Sequence, residues 1–289
     1  MNQLKTSVAN RLDKMVWAAN VVKRASNWQS IGAQTVMAWI GRQDGVFTVE
    51  SRVGVRLQAP RNDAARAPLV EVATQDQYRL DGWTCGTTIS LVIDIGAHVG
   101  AFTCVAAQHF PAAQFVCVEP SATSVQWLRR NIQGNGLAGR TTVLEAAVAD
   151  EDGYVTFWET GDVSSLSSLD AIPGAKERRT RSISFKSIFS GAGEQHQGAM
   201  CRVAVKMDCE GGEYAVILRG ETECWSRVDY LFLEYHPSRQ GTFNDLVAAL
   251  RGYGLILGWN SPARNTAELG MAYFSRETSP GGAEASGAE

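Results

Sequence analysis

Short apolar runs that stop at a glycine or an acidic residue recur along this chain. The run Leu91 to Ile95 meets the turn Gly96 to Gly100. An apolar, helix-like run follows, and Phe115 to Val118 then stops at Glu119 and Pro120. Strand, tight turn, helix, strand is a βαβ unit with an acidic residue at the tip of each strand.

The pattern continues downstream. Ser121 and Ser124 are candidate N-caps for a helix carrying Val125, Leu128 and Ile132 and ending near Asn135-Gly136. Thr142 to Val148 predicts a third strand and Tyr154 to Trp158 a further one. Residues 161–174 are polar and serine-rich, which predicts a loop. Lys176, Arg178, Arg179 and Arg181 form a basic run, read as a solvated face or as a contact for an anionic group. Residues 190–200 read as a flexible loop. Val203 to Met207 predicts a fourth core strand ending at Asp208, and Gly211-Gly212 opens a short helix that stops at Gly220. Tyr230 to Leu233 is a fifth strand, followed by Glu234, Tyr235 and His236. Phe243, Leu246, Val247 and Leu250 make an amphipathic helix, and Leu255 to Trp259 with Met271 to Phe274 complete the sheet. Strands alternating with helices predict a doubly wound α/β sheet.

Upstream the periodicity changes. Val8, Leu12, Met15, Val16, Ala19 and Val22 fall at spacings of three and four, which predicts helix over residues 1 to about 42. The stripe is expected to pack on the main domain or on a second subunit. The sharper reading is a basic amphipathic helix over a membrane surface or an acidic substrate, because Lys5, Arg11, Lys14, Lys23 and Arg24 share the segment. Residues 46–58 alternate as a β-hairpin, 60–68 read as loop, and Val70 to Leu80 lead to the Asp81-Gly82 turn. This layer is placed to roof a pocket. The expected organisation is an N-terminal layer over 1–80, a main domain over 81–276 and a disordered tail over 277–289.

Composition narrows the classes. The chain has 289 residues, 45% of them hydrophobic and 20% charged, as in ordinary soluble domains. A net charge of -3 argues against a general nucleic-acid binder. The six cysteines contain no C-x-x-C pair, and Cys104 and Cys117 fall inside apolar runs, which points to reduced thiols in a cytoplasmic protein. No apolar run approaches a membrane span, and no signal-peptide pattern is expected at the N-terminus.

The glycine turn carries specific chemistry. Ligands of open α/β sheets sit outside the carboxyl ends of the strands. Gly96 and Gly100 allow a sharp turn and close backbone approach, and Glu119 is placed to take ribose hydroxyls. The dinucleotide fingerprint is G-x-G-x-x-G; here D-x-G-x-x-x-G carries His98 where a middle glycine is required for a pyrophosphate. An acidic residue before the turn suits a cation, so S-adenosylmethionine (SAM) is favoured over NAD. The cofactor-binding candidates are Asp94, Gly96, Ala97, His98, Gly100, Glu119 and Pro120. For His98 a backbone role at positive φ is favoured over catalysis, and His109 and His196 carry no assignment.

Four strands end in ionisable residues: Asp94, Glu119, Asp208, and Glu234 with His236. If the sheet is parallel these tips gather on one edge. Asp208, His236 and Glu210 are the catalytic candidates: Asp208 or His236 as the base that takes a proton from an acceptor hydroxyl, with Glu210 beside them. Glu213 also suits a helix start. A divalent ion on Asp208, Glu210, Glu234 and His236 is conceivable but disfavoured, and no metal is expected.

DIGAHVGAFT, VEP, NIQGN, EAAVADEDGYVTF, SSLSSL, VKMDCEGGEYAVILRG and LEYHP, in that order over about residues 91–237, resemble the FkbM-type SAM-dependent methyltransferases. The resemblance implies an α/β class I SAM-methyltransferase fold: a Rossmann-like seven-stranded sheet with an antiparallel last strand, here with an N-terminal helical and hairpin extension. It implies methylation, usually of a hydroxyl on a sugar, polyketide or other small metabolite. By that similarity Asp94, Gly96 and Gly100 cradle the methionine part of SAM, Glu119 holds the ribose, and Asp208 to Glu213 form the active-site floor. His98 departs from the family, which usually has asparagine there. The first 80 residues match only loosely and are expected to carry substrate choice.

The leading expectation is an O-methyltransferase acting on a small-molecule acceptor, with no nucleic-acid partner and no transmembrane segment; the N-terminal stripe makes a homodimer plausible. Its rivals are N- or carboxyl-methylation, an NAD-dependent oxidoreductase or epimerase, and a non-catalytic SAM-fold module. The absence of a Y-x-x-x-K pair speaks against the oxidoreductase.

Overall fold

The computed structural model describes residues 14–39, 44–80, 89–159, 167–168, 174–193, 202–263 and 266–276. Most of the serine-rich loop, residues 194–200, the Asp81-Gly82 turn and the tail from 277 lie outside the described residues. The N-terminal part contains helices α1 (14–24) and α2 (Trp28–Trp39), hairpin strands β1 (Val46–Glu50) and β2 (Arg56–Pro60), and helix α3 (Asp63–Gln75). The βαβ unit is β3 (Ile89–Ile95), α4 (Ala101–His109) and β4 (Gln114–Glu119), followed by α5 (Ala122–Gly134). Next come β5 (Thr141–Glu145), β6 (Ala147–Ala149), β7 (Gly153–Glu159), β8 (Ser167–Ser168), β9 (Lys176–Ser184) and α6 (Phe185–Gly193). The C-terminal part is β10 (Arg202–Met207), α7 (Glu213–Leu218), α8 (Thr222–Trp225), β11 (Tyr230–Tyr235), α9 (Phe243–Gly252), β12 (Ile256–Ala263) and β13 (Thr266–Ser275).

Seven strands form the main sheet in the order β12-β13-β11-β10-β3-β4-β5. β5, β4, β3, β10 and β11 run parallel, and β13 is antiparallel to both β11 and β12. The near-continuous apolar runs follow from this arrangement, because both faces of the sheet are covered. Successive residues point to opposite faces. Leu91, Ile93 and Ile95 of β3 enter a core with Phe189 of α6, Ile217 of α7, Trp225 of α8 and Leu246 of α9. Val92 of β3 and Phe232 of β11 enter the opposite core, with Phe102 of α4 and Leu128 of α5. Phe47, Leu57, Leu69, Tyr78 and Leu80 belong to that second core, so the hairpin and α3 are built into the main sheet's packing.

Four details differ from the sequence reading. Residues 60–68 include the start of α3: Asn62 Oδ1 accepts from the Ala65 amide at 2.8 Å, and Pro68 is tolerated inside the helix. Pro, Asn and Asp together read as loop, but here Asn62 is an N-cap. The expected strand Thr142 to Val148 breaks at Ala146, whose amide donates to the Glu119 carbonyl at 3.1 Å; β5 stays in the main sheet and β6 joins a second sheet, β6-β9-β7-β8. The basic run keeps its reading as a solvated face: it is strand β9, paired antiparallel with β7, and Lys176, Arg178, Arg179 and Arg181 are exposed. The helix α6 begins before the glycine-containing segment that read as loop. The described part of the N-terminal stripe also faces away from the main domain, and Val8 and Leu12 lie outside the described residues. Val21 and Ala25 are buried, whereas Met15, Val16, Ala19 and Val22 are exposed. Among the described residues no helix is long and apolar enough to cross a membrane.

The hairpin is joined to the sheet through two asparagines of α5 and its C-terminus. Asn131 Nδ2 donates to the carbonyls of Gln58 and Val99, both at 2.8 Å, and its Oδ1 accepts from the Gln58 amide at 2.8 Å. Asn135 repeats the two-way pairing with the Arg56 backbone at 2.9 and 2.8 Å. Together they satisfy the outer edge of β2 as a neighbouring strand would. Asn131→Ala removes three hydrogen bonds at a buried site, and a loss of about 2–4 kcal/mol is expected in urea unfolding. Asn135→Ala, at a half-buried site, is expected to cost less than half of that.

Candidate active site

The glycine turn is built against the tip of the neighbouring strand. The amides of Gly96 and Ala97 donate to the Val118 carbonyl at 2.9 and 3.0 Å. Gly96 lies at φ +73°, and a Cβ there would sit 1.7 Å from the Asp208 carbonyl oxygen, so only glycine fits. His98 follows at φ +49°, and its amide donates to Glu119 Oε2 at 2.8 Å. Glu119 Oε1 accepts from the Ser121 amide at 3.0 Å. The carboxylate is thereby fixed across the turn with lone pairs left on both oxygens. Burial pushes the Glu119 carboxyl up to about 7, although the hydrogen bonds from Ser121 and His98 oppose the rise. Gly100 serves packing: a Cβ there would lie 2.6 Å from Leu128 Cδ1 of α5.

Parallel register then sets the next layer. Lys206 of β10 pairs with Asp94 of β3 as direct strand neighbours. Lys206 Nζ lies 3.3 Å from Asp94 Oδ1 and 3.5 Å from Asp208 Oδ2, and donates to the carbonyls of Gly96 at 2.7 Å and Ile95 at 3.3 Å. Burial alone would lower the lysine; Asp94 and Asp208 outweigh it and hold the ammonium well above its ordinary value. Asp94 is fully buried, with its other oxygen accepting from Thr103 Oγ1 at 2.6 Å.

A cavity of about 450 Å³ opens along this edge. Gly96, Ala97, His98, Glu119 and Pro120 line it, with the apolar Val118, Ala147, Val148 and Phe157. Lys206, Asp208, Glu210 and Glu234 also line it, with Glu71, Gln77 and Tyr78 from the N-terminal layer and Met271 from β13. His98 Nε2 is buried without a hydrogen-bond partner. Burial, then the nearby Lys206 charge, lowers the imidazole to about 4, so it is neutral.

His236 stands behind this wall. Its Nδ1 is 3.1 Å from Glu213 Oε1 and its Nε2 3.4 Å from Glu210 Oε2. Glu213 is fully buried and also accepts from the amides of Cys209 and Gly211 at 2.9 and 2.8 Å. Burial lowers His236, but the Glu213 hydrogen bond and charge, then Glu210, raise it to about 10. Burial raises Glu210 to about 7 and Glu234 to about 8, with the Asp208 charge adding to both. Glu210 holds a left-handed backbone at φ +54°, a conformation that non-glycine residues adopt at a cost. One ligand atom each from Asp208, Glu234 and His236 lie within 4.8 Å of one another.

Seven of the ten sequence candidates therefore line the cavity: Gly96, Ala97, His98, Glu119, Pro120, Asp208 and Glu210. Asp94, Gly100 and His236 do not. Asp94 turns inward to Lys206 because both occupy the same sheet face in register. Lys206 had no assigned role, although its signal is present: a lysine inside the apolar run Val203–Met207 must find a buried anion. Phe157, Tyr78 and Glu71 had no assigned role, because they reach the cavity from elements distant in sequence.

The chain is 25% identical over 194 residues to the 31-O-demethyl-FK506 methyltransferase FkbM of Streptomyces tacrolimicus, covering 58% of this chain and 73% of that protein. Among solved structures, the methyltransferase FkbM of Methylobacillus flagellatus matches at 14% identity and a TM-score of 0.44, over 89% of this chain and 60% of that one. The magnesium protoporphyrin IX methyltransferase of Synechocystis, with bound SAM, matches at 14% identity and a TM-score of 0.38, over 74% and 85%. The Methyltransferase FkbM domain model matches residues 94–257, more than half of the chain, so this protein belongs to the FkbM family and is a SAM-dependent methyltransferase.

Proposed function

We propose that the enzyme methylates a hydroxyl of a small metabolite, with SAM at one end of the cavity and the acceptor at the other. The observation that carries this reading is the make-up of the cavity wall. It combines a fixed carboxylate, turn backbone and apolar side chains with a group of carboxylates and residues of the N-terminal layer. SAM supplies an electrophilic methyl on a positively charged sulfur. The residues fit that group. Glu119 has free lone pairs for ribose hydroxyls. Val118, Ala147, Val148 and Phe157 form a slot suited to a flat purine. The unpartnered His98 Nε2 offers a neutral imidazole beside the turn.

Asp208 is our choice for the group that takes the proton from the acceptor hydroxyl, since it lines the cavity at the tip of β10 and is partly accessible. Lys206 orients it through the 3.5 Å pair. His236 is a positioning cation here: both ring nitrogens face carboxylates, which suits imidazolium and leaves no basic nitrogen free. The same commitment disfavours a metal on Asp208, Glu234 and His236, because a ligating nitrogen must be unprotonated. The acceptor class rests on kinship, since the Streptomyces relative is named for a 31-O-demethyl substrate. An amine acceptor is the second reading, because the carboxylates Asp208, Glu210 and Glu234 would also attract an ammonium group. Free Cys104, Cys117, Cys209 and Cys224 fit a cytoplasmic location.

Glu119→Ala is expected to weaken SAM binding about 10–100-fold in calorimetric titration. The pH dependence has a definite sign. Glu119 carries its proton below about 7, and the ionised form is the better acceptor, so wild-type affinity rises with pH through that value. In the variant this step disappears. Between the ordinary carboxyl value and about 7 the folded ligand-free protein holds this proton more tightly than the unfolded chain. Its contribution to stability therefore falls as pH rises through that window.

Asp208→Asn is expected to lower kcat about 10²–10⁴-fold on an acceptor found by screening alcohols and amines, with SAM affinity kept within a few-fold. Dialysis against EDTA is expected to leave wild-type turnover unchanged. Turnover lost on chelation and restored by magnesium or manganese would replace the base with a metal centre.

A further inference from the structure

The outward face of the N-terminal helices is unexplained by the catalytic reading. On α1 the buried positions are Val21 and Ala25, and the opposite stripe holds Met15, Ala19 and Val22 at spacings of four and three. Met15 is 69% exposed, Val16 54% and Val22 44%. α2 repeats the pattern: Ile31 is buried, while Ala33, Val36 and Met37 face outward, with Val36 53% exposed. Trp17 and Trp28 stand at the margins, each more than a third exposed. Val8 and Leu12 continue the α1 spacing in the sequence.

Charge decides what can cover this face. The first 42 residues hold six basic side chains (Lys5, Arg11, Lys14, Lys23, Arg24, Arg42) against the single acid Asp13, in a chain of net charge -3. Lys14 and Lys23 are exposed beside the apolar stripe, and Arg52 donates to the Val22 carbonyl at 3.2 Å, adding a further cation at its edge. A second copy of the same face would set Lys14 and Lys23 against the same two lysines, and α1 and α2 carry no acid to compensate. An anionic bilayer answers both features: its headgroups pair with the lysines, and its acyl boundary takes the valine and methionine side chains, with tryptophan at the interface.

We propose that α1 and α2 form a peripheral docking surface for an anionic lipid membrane. α1 is joined to α3 by Asn20 Nδ2 donating to Gln75 Oε1 at 3.0 Å and by Gln75 Nε2 donating to the Trp17 carbonyl at 3.4 Å. Gln77, two residues beyond, lines the cavity, so one short segment joins the docking helix to the site.

Co-sedimentation of the full chain with vesicles tests this. Binding is expected to phosphatidylcholine vesicles containing about a third phosphatidylglycerol, with at least about tenfold weaker partition into pure phosphatidylcholine and loss at high salt. Met15→Asp/Val22→Asp is expected to abolish binding, and Lys14→Glu/Lys23→Glu to weaken it about tenfold. Both double variants change exposed side chains, and unchanged SAM titration confirms that they fold. No vesicle binding by the wild-type chain overturns the proposal, as does equal binding to both vesicle types. A concentration-dependent dimer in sedimentation velocity that Met15→Asp/Val22→Asp abolishes would also overturn it, by assigning the face to a second copy.

Discussion

The site depends on one buried cation. Lys206 sits inside the sheet with almost no solvent contact, and an ammonium there is tolerable only if charges and dipoles surround it. Asp94 supplies the charge from the adjacent strand, Asp208 supplies a second from the strand's own tip, and the carbonyls of Ile95 and Gly96 complete the shell. Removing either side of such an arrangement leaves an unpaired charge in a low-dielectric interior, which is far more costly than the pair is stabilising. The lysine consequently ties the glycine turn after β3 to the tip of β10. Both places line the cavity.

The rest of the site is arranged around that tie. Glu119 fastens the far side of the turn through two backbone amides, while Glu213 fastens the loop before α7 and holds His236. Asp94, Glu119 and Glu213 thus each fix backbone or a cation. Glu119 also lines the cavity and keeps lone pairs for a ligand, alongside Glu71, Asp208, Glu210 and Glu234. Glu210 stands in a left-handed conformation beside the glycines, so some backbone strain is concentrated where the chemistry is proposed.

Much of this was readable in the chain, and the failures have physical causes. The parallel strands were legible because each is an apolar run closed by a polar tip, and those tips fall on one edge as the topology requires. The glycine turn was legible because Gly96 has no alternative beside the Asp208 carbonyl. Asp94 and His236 were located correctly at strand ends, yet a sequence does not say which way a tip residue turns. Register with Lys206 turns Asp94 inward, and Glu213 draws His236 behind the wall. Pro68 concealed α3 because a capping asparagine and an interior proline look alike in a loop and at a helix start. The N-terminal stripe was legible as amphipathic, but periodicity alone cannot tell an inward face from an outward one. Val21 and Ala25 settle that only once packed.

The most direct test of the tie is calorimetric titration of SAM into Lys206→Met and into the double variant Asp94→Asn/Lys206→Met, neither of which alters Glu119 or the apolar slot. The account predicts at least about tenfold weaker binding in Lys206→Met, with part of the loss recovered in the double variant because the unpaired buried carboxylate is gone, a coupling of about 0.5–3 kcal/mol. SAM affinity unchanged in Lys206→Met, or losses that simply add, would contradict it and leave the glycine turn standing without the lysine.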